Sequence, residues 1–184
     1  MTHSKVENRV VKLEDSNAIP SLIEGCSDCI DQCDQLLKVI SQSVYIDDSS
    51  GSSSIGAHVR HILDRFQCFF SGLQDASIDY DARKRDKEIE QNIEAAMFAV
   101  VAVARRIEQL GDSLSVGNLI CVRETVHPLS PAVEISSTIE REMMALITHS
   151  IHHLAIIALM AKSFGYQMGA DFGKASSTIV YERI

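Results

Sequence analysis

Apolar residues recur every three or four positions along four stretches of the chain, which is the spacing of an amphipathic α-helix. The first predicted helix runs from about Asn17, a suitable N-cap, to about Ser43. Its apolar face forms one continuous stripe: Ile19, Leu22, Ile23, Cys26, Cys29, Ile30, Cys33, Leu36, Leu37 and Ile40. We interpret Cys26, Cys29 and Cys33 as core residues, because a free cysteine packs as a small hydrophobe.

Two further amphipathic helices are predicted in the middle of the chain. One begins after Ser53 or Ser54, whose hydroxyl can cap it, and ends near Gly72. A polar, highly charged loop follows. The next helix spans about Asp86 to Leu110 and is stopped by Gly111.

The pattern changes after this third helix. Asn118 to Val126 is rich in β-branched residues, and a second short apolar segment, Ala132 to Ser136, follows two prolines that exclude a long helix there. Together they predict a small β-hairpin. The last and longest helix opens with the capping box Ser137-Thr138-Ile139-Glu140 and runs to about Phe164, with Gly165 just beyond it.

Four long amphipathic helices predict an all-α fold. We expect an antiparallel four-helix bundle with a small β-hairpin between the third and fourth helices and an irregular C-terminal tail. The length of 184 residues suits one domain covering residues 1–184. The last helix is long enough to span a bilayer, but its three histidines and the lack of companion spans favour the central helix of a bundle.

Composition limits the binding partners and the cellular compartment that we expect for this protein. A formal net charge of -8 repels the phosphate backbone, so we expect no nucleic-acid partner. The first residues, MTHSKVENRVVKLEDS, lack the apolar core of a secretory signal, so we expect a cytoplasmic protein, and we expect no membrane partner. Five cysteines are an odd number for a disulfide framework, and in that compartment they stay thiols.

The candidate chemistry lies in the last helix, where His149 and His153 are four residues apart. Residues at this spacing share one helix face with Cβ atoms about 5–6 Å apart, so both rings can reach one ion. Taken alone, such a pair is more often a core or interface feature than half of a metal site. The second helix offers His58 and His61 as a third ligand, and a helical wheel slightly prefers His58 because it lies nearer the apolar stripe.

The segment Ser54-Ile55-Gly56, with His61-Ile62 five residues on, and the pair His149-x-x-x-His153 on the last long helix resemble the DinB-like superfamily of metal-binding four-helix bundles. The resemblance implies that His61, His149 and His153 hold a divalent metal ion. The loop IDYDARKRD and the tail FGKASST also resemble one subgroup of that superfamily. Members that resemble this chain include thiol-dependent isomerases and S-transferases.

Three neutral imidazoles leave a divalent ion its full charge and at least one open position. Zn²⁺, Ni²⁺ and Fe²⁺ all suit such ligands. The open position can acidify a water molecule or bind a substrate thiolate. We therefore expect a metal-dependent enzyme, a hydrolase or a thiol (S-) transferase, that acts on a small-molecule substrate. The alternative is a non-catalytic metal-binding or dimeric interaction protein, since no general base stands next to the histidines.

Several neighbouring residues are weaker candidates. Asp64 and His58 can orient a ligand ring through its second nitrogen. Cys68 can be a fourth, soft ligand. Glu142 lies too far along its helix to bind the same ion, and it can line a pocket or pair with an arginine. The charged loop can bind a polar substrate, although helix capping is the commoner role; its members are Asp79, Asp81, Arg83, Arg85 and Asp86.

The last helix is also apolar around most of its circumference, which is more surface than one bundle core covers. The tail adds further apolar residues. Exposed apolar patches of this kind mark interfaces, and two-fold pairing is the commonest outcome, so we expect a homodimer. The alternative is that the tail and the hairpin fold back over the last helix within one chain.

Overall fold

The structure, a computed structural model, describes residues 18–49, 51, 53–110 and 117–184. Within these ranges the chain forms seven helices and three strands. The helices are α1 (Ala18–Val39), α2 (Gln42–Tyr45), α3 (Ile55–Gly72), α4 (Lys87–Gln91), α5 (Ile93–Glu108), α6 (Ile139–Ser163) and α7 (Ser176–Glu182). The strands are β1 (Ser77–Asp79), β2 (Leu119–Glu124) and β3 (Val133–Thr138).

The predicted all-α antiparallel four-helix bundle is wrong, because the helices share the molecule with a three-stranded mixed sheet in the order β1-β2-β3. β2 and β3 pair antiparallel, where the hairpin was predicted. β1 adds to the other edge of β2 in parallel, with Ile78 opposite Val122. From the sequence, β1 was assigned to the charged loop, because most of its residues are polar. Ile78 and Tyr80 turn inward and are buried.

Two of the predicted helices are interrupted. The first ends at Val39 and is followed by the short α2. The third breaks at Asn92, whose extended backbone (φ −137°, ψ 116°) ends α4 and whose side chain caps α5 by accepting the N–H groups of Glu94 and Ala95. The predicted cap Asn17 and the predicted stop Gly111 lie outside the described residues.

The sequence predicted the N-cap of α3 correctly but not the N-cap of α6. Ser54 caps α3 as expected, with its Oγ accepting the N–H of Ala57 at 3.1 Å. The predicted capping box at Ser137 is wrong by one residue. Thr138 is the N-cap of α6, and the Ser137 hydroxyl instead donates to Glu142 at 2.6 Å.

The C-terminal tail is only partly irregular, because it contains α7, and it folds back onto the helices. Phe172 is buried, and the N–H of Gly173 donates to Gln32 Oε1 on α1 at 2.7 Å. Gly173 has φ +68°, and a Cβ there would meet the backbone nitrogen of Ala155 at 2.7 Å. Only glycine permits this contact, so the tail covers part of the surface of α6.

Helices α1, α3, α5 and α6 contact one another around the main core. Cys26, Cys29 and Cys33 are buried in it as predicted, and burial raises the pKa of Cys26 and of Cys29 to about 12. These thiols therefore stay protonated. Of the described helices, α6 is the one that is long and apolar enough to cross a bilayer, by length and composition only.

Candidate metal centre

Helices α3 and α6 lie against each other and carry the three predicted ligands on their facing sides. His61 lies in the second turn of α3, and His149 and His153 lie on successive turns of α6. One ring nitrogen of each residue lies within 4.8 Å of the others. All three side chains are half-buried. The three histidines can therefore hold one metal ion.

The three rings pack edge to face against one another. Ring centroids are 4.8 Å apart for His61 and His149, 4.7 Å for His61 and His153, and 4.6 Å for His149 and His153. The Nε2 atoms of His61 and His149 are 2.8 Å apart. Zinc–imidazole bonds are about 2.0–2.1 Å long and zinc sites are tetrahedral, so two such nitrogens lie roughly 3.3 Å apart on one ion. The observed pair would have to separate by roughly 0.5 Å to bind such an ion.

The imidazoles are neutral at neutral pH, as metal ligands must be. The pKa of His61 is lowered to about 3, and those of His149 and His153 are each lowered to about 4. Burial is the largest cause for all three, because it disfavours the charged ring. The neighbouring imidazoles add to it for His61 and His153, and the Arg65 guanidinium adds to it for His149.

His58 lies behind the converging nitrogens rather than among them. Its Nδ1 is 2.9 Å from Nδ1 of His153. This contact occupies one nitrogen of His153 and leaves Nε2 for an ion. His58 thus lies where it can orient a ligand ring, as the sequence suggested. The helical wheel slightly preferred His58 as the third ligand, but the group that can hold an ion contains His61 instead.

Asp64 and Cys68 do not join the histidines. Asp64 accepts a hydrogen bond from Arg60 at 2.7 Å, and Arg60 also donates to Glu90 at 2.9 Å, which ties α3 to α4. Cys68 is buried and lines a separate cleft of about 360 Å³ together with Asp64 and Asp79. Neither residue belongs to the metal-binding group found among the described residues.

Glu142 is buried and links α6 to the sheet. It accepts hydrogen bonds from the Tyr80 hydroxyl at 2.9 Å and from Ser137 at 2.6 Å. The Arg65 guanidinium stacks on the other side of this network, 3.7 Å from the centre of the Tyr80 ring. Glu142 is therefore a structural hydrogen-bond acceptor. The sequence suggested that it could pair with an arginine, but two hydroxyl groups donate to it instead.

The acidic members of the charged loop mostly have structural roles. Asp86 caps α4 by accepting a first-turn N–H at 2.9 Å. Asp79 accepts from Arg123 on β2 at 2.8 Å, and Asp81 accepts from Thr125 at 2.7 Å. These contacts hold the loop against the sheet, which agrees with the commoner role expected from the sequence.

Arg83 is the loop residue that reaches the histidines. It is half-buried, and its Nη1 lies 3.1 Å from Nδ1 of His61. Its Nε is buried without a hydrogen-bond partner among the described residues. The sequence offered no pattern that separates Arg83 from Lys84 or Arg85, because the loop conformation alone directs this side chain to the site.

No family model matches the chain, and no curated protein or solved structure matches it significantly. The resemblance to the DinB-like superfamily therefore stays a prediction.

Proposed function

We propose that this protein is a metal-dependent enzyme of the DinB-like type, in which His61, His149 and His153 hold one zinc, nickel or iron ion. The observation that carries the proposal is the convergence of three neutral imidazoles from two helices on one point. One ion would coordinate all three rings at once, in place of the hydrogen bond that now joins His61 to His149.

The composition of the site favours an enzyme over a purely structural site. Structural zinc sites are closed by four protein ligands, whereas catalytic ones use three and keep a position open. Among the described residues the group contains three histidines and no cysteine or carboxylate. A bound ion would supply a Lewis acid with an open position, which suits a hydrolase or a thiol (S-) transferase.

Elemental analysis of natively purified protein tests the metal site. We expect about one divalent ion per chain, and we expect the variants His61→Ala and His149→Ala to lose it. His127→Ala is the matched control, because His127 is exposed and hydrogen-bonds within its own loop, to Leu129 and Ser130. Wild-type protein without metal after exposure to all three ions would refute the site.

The open position is tested separately with Co²⁺-loaded protein and a small thiol, 2-mercaptoethanol. Thiolate binding to cobalt changes the visible spectrum, and we expect that change in the wild type. An unchanged spectrum at saturating thiol would indicate a closed site, and it would favour a non-catalytic metal-binding protein.

A further inference from the structure

Arg83 makes a contact with His61 that cannot persist when His61 binds an ion through Nε2. A guanidinium only donates hydrogen bonds, so in this contact Nδ1 accepts and the ring proton lies on Nε2. A ligand nitrogen needs a free lone pair, which places the proton on Nδ1 instead. Metal binding therefore releases Arg83 from His61.

Once released, the Arg83 guanidinium has no ion-pair partner among the described residues. No carboxylate there forms an ion pair with Arg83. Two acids interact electrostatically with Arg83, but each is paired elsewhere, Asp64 with Arg60 and Asp81 with Arg123. Since Nε of Arg83 is already buried without a partner, a half-buried donor group would be left unsatisfied.

The ligand group also contributes no negative charge to the site. Three neutral ligands leave a divalent ion both of its charges, and Arg83 adds a third. Arg65 is a second guanidinium beside the cluster, where it lowers the pKa of His149, and it forms an ion pair with Glu124. No carboxylate belongs to the ligand group of the described residues. The site as a whole therefore favours a negatively charged ligand.

We infer that Arg83 binds the carboxylate group of the small molecule that takes the open position on the metal. This inference rests on the proposed function and names its substrate class, a small carboxylic acid with a second group that reaches the ion. A carboxylate offers two parallel acceptor oxygens and a single charge, which matches one guanidinium. Arg83 is thus a binding residue that selects the anion.

The test compares two thiols of similar size on the Co²⁺-loaded full chain, mercaptoacetate and 2-mercaptoethanol. They differ in one group, a carboxylate against a hydroxyl. We expect wild-type protein to bind mercaptoacetate about ten- to a hundredfold more tightly, because a hydrogen bond between charged groups contributes that much. In Arg83→Gln the two affinities should agree within about threefold.

Two further variants test whether the charge of Arg83 or its paired donors cause the preference. Lys84→Gln removes the same charge from the adjacent, exposed side chain and should keep the wild-type preference. Arg83→Lys keeps the charge without the paired donors, so its preference should lie between those of the wild type and Arg83→Gln.

The outcomes separate the two proposals. Equal binding of both thiols to wild type, or an unchanged preference in Arg83→Gln, would overturn the role of Arg83 while the cobalt spectrum still supported the metal site. Failure of Arg83→Gln to load cobalt while retaining its helical circular dichroism would also overturn it, because Arg83 would then serve the site itself. A wild-type protein that binds no cobalt would refute the proposed function instead.

Discussion

The Nε2 atoms of His61 and His149 lie 2.8 Å apart, although the two residues are 88 positions apart in the chain. In the metal-free protein this distance is a hydrogen bond, with the proton on Nε2 of His61. With the proton moved to Nδ1, the same two atoms present their lone pairs to one ion. The packing of α3 on α6 therefore brings the two nitrogens together, and binding of an ion would require a proton shift on His61 and the release of Arg83.

His58→Gln should weaken the site without removing it. The His58 ring contacts Nδ1 of His153 and orients that ligand, and loss of such an outer contact costs about ten- to a hundredfold in metal affinity. The stoichiometry should stay at one ion per chain. Competition with a chromophoric chelator measures both values.

The matched comparison is His61→Gln, which removes a ligand and should abolish tight binding. If His58→Gln abolished metal binding while His61→Gln retained it, His58 would be the ligand, as the helical wheel suggested, and the residue carried over from the resemblance would be wrong.

Metal-free protein should lose stability as the pH falls below about 6.5. The folded-state pKa is about 3 for His61 and about 4 for His149 and His153, each below the ordinary value of 6.5. Between these limits the unfolded chain binds more protons than the folded chain, so the free energy of unfolding decreases with decreasing pH. The contribution is fully present above pH 6.5. Urea denaturation at pH 7.5 and pH 5 measures it.

Carboxylates elsewhere in the chain also contribute to this dependence, so the comparison that isolates the histidines is His149→Gln. That variant lacks one depressed group and should lose less stability between the two pH values than the wild type does. An equal loss in both proteins would show that the folded chain does not lower the pKa of His149.

Gly56→Ala should destabilise the fold by about 1–3 kcal/mol, the usual cost of overpacking. A Cβ at this position would lie 2.0 Å from the carbonyl oxygen of Glu90 and 2.8 Å from the Tyr45 ring, so α4 would have to move away from α3. Gly169→Ala is the control, because a Cβ there meets no atom within 4 Å. Urea unfolding of both variants measures the difference, and equal midpoints would show that α4 does not approach α3 so closely.

The parts of the fold that the sequence predicted are those that depend on long, local patterns. The helical repeat over residues 55–72 and 139–163 is sustained for several turns, and the structure has helices there. β1 was missed because three residues are too few for a periodic pattern, and Ile78 stands between polar neighbours. β1 pairs with β2, which is distant in the sequence, and a local sequence pattern cannot predict such a pairing.

The candidate site shows the same division. The spacing of His149 and His153 is local to one helix, so the sequence predicted that the two rings share a face. The choice between His58 and His61 depends on how α3 is rotated against α6, which a helical wheel does not contain. The approach of Arg83 depends on a loop in which Arg85 has a positive φ of 50°, and sequence patterns do not predict such a conformation.

We propose, finally, that the protein forms a homodimer through the outer side of α6. The tail covers part of this helix, as the alternative interpretation of the sequence expected, yet Met144 and Leu159 remain 53% and 71% exposed. His152 is exposed between them, and the three residues lie on one side of the helix. Exposed apolar side chains on one side of a long helix are typical of an interface between two copies.

Light scattering on a size-exclusion column measures the mass, and we expect twice the 20.3 kDa of one chain at micromolar concentration. The double variant Met144→Glu and Leu159→Glu should shift the protein to a single chain, because two buried like charges on each copy oppose the contact. Phe98→Glu changes an exposed apolar residue on α5 and should leave the dimer intact. If Phe98→Glu dissociates the dimer and the α6 variant does not, the interface lies on α5, and a wild-type mass near 20.3 kDa rules out the dimer altogether.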